Sequence, residues 1–274
     1  DIYLPGYSAM KEKERVVFFL RDGLSAAEKE RMAAYGADMN KYLDSGNEAR
    51  IKKAYESRDP RLQMAVITPY AQYNGASSGI AHTYTLRWPY RGSDSAEPFD
   101  IRTDTNDKFY YLWRKFVPEG LEQTERDTYG LDIPLIRYAE VLLLKAEALN
   151  EWGSTHESEA IRCVNEVRRR AGHVELNNAT YPATKVNGQS DLRERIRNEY
   201  YWEIGGEDSM YFHELRWGTW KDKKFDNNRN GLMQMWGETT YTWYWLGDQC
   251  WSWPIPAKEM EMNSNLEQNE GWIN

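Results

Sequence analysis

Glu199 and Glu203 stand four residues apart in LRERIRNEYYWEIGGED, with Glu207 and Asp208 just beyond. On a helix that spacing puts the first two on one face. Two carboxyls about 5–10 Å apart across a sugar-binding cleft are what glycoside hydrolysis needs. However, Arg193, Arg195 and Arg197 interleave with them. Mixed charges along a helix pair with one another. These glutamates therefore read as ion-pair partners in helix packing, and general acid–base work is the weaker reading.

Other chemistries find less. His82, His156, His173 and His213 never fall three or four residues apart, so no helical metal-ligand pair forms. Asp226, Asn228, Asn230 and Gly231 match the opening of an EF-hand loop, but the closing position 237 is glycine and Glu238 is one residue late. A polar turn is the preferred reading there. No G-x-S-x-G elbow and no Gly-rich phosphate loop occurs. Cys163 and Cys250, the only cysteines, read as small hydrophobes and not as a disulfide framework. Arg137 and Arg168–Arg170 read as the outer face of two packed helices.

Aromatic side chains carry the remaining binding potential. The 274 residues include 12 Trp and 19 Tyr. Two stretches concentrate them, 69–100 and 236–253. In the first, Tyr70, Tyr73, Tyr84, Trp88 and Tyr90 lie among Asn74, Arg87 and Arg91. Trp and Tyr present apolar faces on which a pyranose ring can stack, and the polar neighbours suit its hydroxyls. Tyr84, Leu86 and Trp88 alternate, so an extended segment puts them on one side. Pro89 biases Trp88 toward that extended form. The candidate ligand site is therefore Trp88 with Tyr84, Tyr90, Tyr73 and Arg87; the competing reading is that these rings pin a long loop to the body. Trp243, Tyr244 and Trp245 are the second choice. A formal net charge of −8 disfavours nucleic acid. The longest apolar run, near Val141–Leu144, is far from membrane-spanning length.

The elements that must position these groups are mainly helical. Helices are predicted over Ser25–Leu43, with Ser25 and Glu28 as a capping box, and over Asn47–Tyr55. Asp59–Pro60 reads as a breaker, Met64–Thr68 as a short strand and Pro69–Asp100 as aromatic loop. Ile133–Glu151 is the strongest helix, with Val141, Leu142, Ala146 and Leu149 near helical spacing and Gly153 as its stop. Glu157–Ala171 follows, with Ile161, Val164 and Val167 inward. The pair resembles one tetratricopeptide unit, which must stack on other helices to bury its face. Asp191–Glu203, Met210–Arg216 and Ala257–Asn263 are further helices. Trp236–Pro256 reads as short aromatic strands.

Several blocks together resemble the SusD/RagB family: RDPRL at 58–62, IPLIRYAEVLLLKAEALNEWG, EAIRCVNEVRRRAG, LRERIRNEYYWEIGGEDSMYFHELRWGTWKD and WPIPAKEMEMNSNLEQNEGW. The match to Trp251–Pro256 looks like core. The resemblance implies a mainly α fold of tetratricopeptide-like hairpins with long loops and short β segments. It implies that residues 1–274 are the C-terminal region of a longer chain whose N-terminal half, with its lipidated cysteine, is absent. It further implies a non-catalytic, cofactor-free glycan-binding protein, lipid-anchored on the extracellular face of the outer membrane; the residue spacing read above adds the expectation of no metal. The implied partner is a SusC-like TonB-dependent transporter. Peptide or protein binding by a helical scaffold, and glycoside hydrolysis, stay open as alternatives.

Overall fold

The computed structural model describes residues 19–34, 36–56, 58–77, 79–91, 99–101, 112–122, 130–207, 209–225 and 245–272. The chain divides into two compact units: Asp1–Met210 with Gln234–Gly237, and Tyr211–Met233 with Glu238–Asn274.

The first unit opens with helix α1 (Ala26–Ala34). Its start is the expected capping box: Ser25 N donates to Glu28 Oε2 at 2.9 Å, and Glu28 N donates back to Ser25 Oγ at 3.3 Å. The helix ends well short of Leu43. Gly36 takes a left-handed φ of 93°, and the amides of Gly36 and Ala37 bond back to Ala33 and Met32, a Schellman stop. Helix α2 (Asn47–Glu56) lies where the sequence puts it. Asp59–Pro60 does not merely break structure. Asp59 Oδ1 accepts from Arg61 N at 2.9 Å and caps helix α3 (Pro60–Ala65), with Pro60 in its first turn. That helix absorbs Met64 and Ala65 from the predicted strand and leaves only β1 (Val66–Ile67).

The aromatic stretch after β1 is not structureless. Strands β2 (Gln72–Ser77) and β3 (Ile80–Thr85) form an antiparallel hairpin with Tyr73 opposite Tyr84 and Asn74 opposite Thr83. Gly79, at φ 76°, supplies the turn residue a tight hairpin demands. Strand β4 (Leu112–Trp113) pairs antiparallel with β1, Val66 opposite Trp113. Phe19, Leu20, Met32, Ile51, Tyr55, Tyr70, Leu86 and Trp88 fill the core beneath these elements.

A helical layer follows. Helices α4 (Tyr138–Trp152), α5 (Glu157–Arg170) and α6 (Gln189–Ile204) pack on one another. Leu142, Leu143, Ala146 and Leu149 meet Ile161, Val164, Val167, Leu192, Ile196 and Tyr200 in a buried interior. Cys163 is buried there as a free thiol. Gly153 (φ 136°) and Gly172 (φ 70°) stand just past α4 and α5, as predicted. Two details differ. Helix α4 begins at Tyr138 and not at Ile133, and Val141 is 47% exposed. Val141 lies instead with Tyr138, Leu144 and Trp152 on an exposed apolar face, preceded by exposed Ile133, Leu135 and Ile136.

Helices α7 (Ser209–Arg216) and α8 (Trp220–Phe225) come next along the chain, and α9 (Ala257–Met262) lies near its end. Within the second unit, Trp272 Nε1 donates to the carbonyls of Gln249 at 3.2 Å and Ser252 at 2.9 Å. Residues 236–244 and the Asp226–Gly231 loop lie outside the described residues. The described part of the aromatic run, from Trp245, contains a 3-10 turn at Asp248–Trp251 and no strand. Trp251 is half-buried and Trp253 is 78% exposed, so within this chain the block expected as core does not bury its second tryptophan.

Candidate functional site

The glutamates of α6 are structural, but their partners are not the interleaved arginines. Arg193, Arg195 and Arg197 pair with Glu151, Asp191 and Glu194. Glu199, with no solvent exposure, accepts from Arg61 Nη1 at 2.7 Å and from Arg168 Nε at 2.8 Å. Glu203 accepts from Arg61 at 3.1 Å, from Arg137 at 3.0 Å and from Arg170. Glu207 accepts from Arg137 at 2.7 Å and from Lys115. The other side of Arg61 is held by Asp59 at 2.7 Å. The capped start of α3 thus aims a guanidinium into the helical layer. Arg168, expected on an outer face, is buried.

Electrostatics agree with that geometry. Burial pushes the Glu203 carboxyl up, and the hydrogen bonds from Arg137 and Arg61 with the charge of Arg170 more than reverse it, leaving it below the ordinary carboxylate range. Asp59 and Glu207 are lowered in the same way, by Arg61 and by Arg137 with Lys115. A general acid needs the opposite shift. Glu199 and Glu203 face cations inside the protein and offer no carboxyl to a cleft. Among the described residues no group of His, Cys, Asp and Glu could hold a metal ion.

The aromatic set is brought together, though not as an open platform. Tyr84, Leu86 and Trp88 are all buried, and so is Thr85 between the first two, so burial does not follow the expected alternation. Trp88 is 2% exposed, Tyr84 is 9% exposed, and Leu86 and Tyr73 are buried as well. Tyr73 and Trp88 belong to the same core, and the Tyr73 hydroxyl donates to Pro118 O at 2.7 Å. Tyr84 packs edge-on against Phe99 with centroids 5.5 Å apart, and His82 stacks on Phe99 at 4.1 Å. The Trp88–Pro89 peptide is cis, with Arg21 N donating to Trp88 O at 2.7 Å and Arg21 Nε to Pro89 O at 3.1 Å. Arg87 reaches Glu48 at 3.1 Å and buried Asp100 at 2.8 Å, so its charge is already matched. Asp100 also accepts from Arg91 N at 2.9 Å. Tyr90 and Arg91, at the rim, keep partial exposure. Stacking a sugar on Trp88 itself would require the core to open.

Exposed aromatics that sequence reasoning passed over lie elsewhere in this unit, Trp152 and Trp113 among them. Trp152 stacks on His156 at 4.3 Å at the end of the apolar face of α4. Trp113, on β4, is 56% exposed. Nothing in the local pattern marks Trp113, because a two-residue strand has no periodicity to read.

A helical hairpin with a third helix laid across it, joined by charge to a smaller β-containing core, defines a tetratricopeptide-like, mainly α protein. The sequence profile of the SusD family matches residues 19–272, and the chain belongs to that family. It is 32% identical over 139 residues to the SusD-like protein P38 of Formosa agariphila, a match covering 50% of this chain and 24% of that protein. It is 28% identical over 161 residues to the starch-binding protein SusD of Bacteroides thetaiotaomicron, covering 58% of this chain and 25% of that protein. In fold it resembles the crystal structure of a SusD-like protein from Bacteroides fragilis, with a TM-score of 0.57 at 21% identity, over 95% of this chain and 46% of that one. The matched span is thus about a quarter of the length of these curated relatives.

Proposed function

We propose that this protein binds glycans without transforming them, at the outer surface of the outer membrane, and passes them to a SusC-like TonB-dependent transporter. Family membership across residues 19–272 carries this reading. The name of the starch-binding relative points to a polysaccharide ligand. The cation-locked glutamates of α6 support binding over hydrolysis. Among the described residues no helix is long and apolar enough to cross a membrane, and the reading assigns attachment to a lipid anchor outside this chain. Within the expected ligand set, Tyr90 at the rim makes the contact, with Arg91 beside it. Trp88, Tyr84 and Tyr73 fix that rim from below, and Arg87 holds it through Asp100. A glycan array probed with the 274-residue chain tests the reading. Binding to at least one polysaccharide class, with no new reducing ends after incubation, is expected. Release of reducing ends would replace it with hydrolysis.

A second reading, a helical scaffold for a protein or peptide, rests on the exposed apolar face of α4. It predicts an empty array.

A further inference from the structure

We propose that Trp113 is a glycan-stacking platform of its own, separate from the Trp88 segment, and that it takes a neutral pyranoside. This rests on the glycan-binding reading above. A sugar platform needs an apolar face open to solvent, a rigid backing and polar groups at its edge.

Trp113 meets the first two, and Arg114, Lys115 and Glu207 are polar groups of the same strand end and turn. Its ring is 56% exposed. Its backbone is pinned opposite Val66 in the β1–β4 pair. The six-membered ring lies close against Gly206. A Cβ there would sit 2.8 Å from Cζ3 and 3.1 Å from Cε3 and Cη2. Only glycine allows so close an approach, and Gly206, at φ 81°, also holds a backbone conformation that other residues resist. Two residues along the chain, the Lys115 ammonium donates to the carbonyls of Glu203 at 3.0 Å and Gly205 at 3.4 Å and to Glu207. Arg137 grips Glu207 from the far side at 2.9 and 2.7 Å. The turn that backs the ring is thereby clamped, so little ordering remains to be done on binding.

Local chemistry selects the ligand. The neighbouring Lys115 and Arg137 are matched by Glu203 and Glu207, and Arg114 by Glu119 at 2.6 Å. Among these described residues no uncompensated charge asks for a carboxylated or sulfated sugar. Two other exposed rings of this unit fit less well: Trp152 and Tyr138 belong to the exposed apolar face of α4, which suits a macromolecular surface.

Affinity gel electrophoresis of the 274-residue chain against amylopectin, laminarin, xyloglucan and galactomannan tests the proposal. Retardation by at least one polymer is expected. Trp113→Ala should weaken it roughly tenfold or more, and Trp113→Tyr should retain most of it. Gly206→Ala, which pushes the ring off its backing, should weaken it too, with circular dichroism of each variant confirming the fold. If wild type is retarded and Trp113→Ala equally so, the platform is wrong while glycan binding stands. If no polymer retards wild type, the neutral-pyranoside platform falls, and a positive glycan array would show that the broader reading survives it.

Discussion

The helical layer α4–α6 and the aromatic segment around β2–β3 belong to the same unit but are held together differently. In the helical layer, apolar side chains recur at helical spacing and bury against each other, and the charges converge on three glutamates of one helix and its following turn. In the aromatic segment, single long-range bonds do the fixing: Tyr73 to Pro118, Arg21 to Pro89, Arg87 to Glu48 and Asp100. The first kind of order is repetitive and visible along the chain. The second consists of individual contacts between residues far apart in sequence, and it turns rings that look like binding platforms into core.

The largest effect expected from breaking either side is at the charge cluster. Glu199→Ala leaves Arg61 and Arg168 facing each other in a buried site and should cost about 3–5 kcal/mol in urea unfolding. A cost below about 1 kcal/mol would mean that water reaches the cluster. Trp88→Ala should cost about 3–5 kcal/mol as well, the range for a buried tryptophan. A near-native midpoint with lost ligand affinity would instead restore Trp88 as a platform. Leu143→Ala should cost about 2–5 kcal/mol. Its neighbour Val141→Ala should shift stability by less than about 0.5 kcal/mol, which fixes the phase of α4.

Acid titration sharpens the same contrast. Asp59, Glu203 and Glu207 have folded pKa values depressed below the ordinary 3.8 and 4.5. Their stabilisation is complete above those unfolded values and is lost as pH falls through the lower folded ones. Melting temperature should therefore drop below about pH 4.5, and Glu207→Gln should flatten that drop. The smallest effect expected is at the surface: Arg193→Ala removes an exposed pair with Glu151 and should change stability by no more than about 1 kcal/mol.

Sequence reasoning sees these two regions unequally. Gly153 and Gly172, the Ser25–Glu28 box and the inward Ile161, Val164 and Val167 are local signals, and each falls where it was expected. The hairpin β2–β3 escapes the pattern because β2 carries Asn, Gly, Ala and Ser, which have little strand preference, although Ile80, Thr83, Tyr84 and Thr85 of β3 favour a strand. Alternation grouped Tyr84 with Trp88, but Leu86 and Trp88 join a core with Phe19, Leu20 and Tyr70 while Tyr84 packs on Phe99, contacts that come from elsewhere in the chain. The glutamates of α6 were read as structural, yet their partners Arg61 and Arg137 lie too far away in sequence for any pattern to pair them.

That separation has a consequence for how the chain is made. Arg61 and Glu199 are 138 residues apart. At roughly 5–20 residues per second, the ribosome needs on the order of 10 s to deliver the second after the first. During that interval α3 carries a guanidinium with Asp59 as its only mate from the cluster, and its flank stays wet. The N-terminal core can close early, but its seam to the helical layer is sewn late, by charge. A ribosome that stalls before residue 199 releases a protein with that seam open.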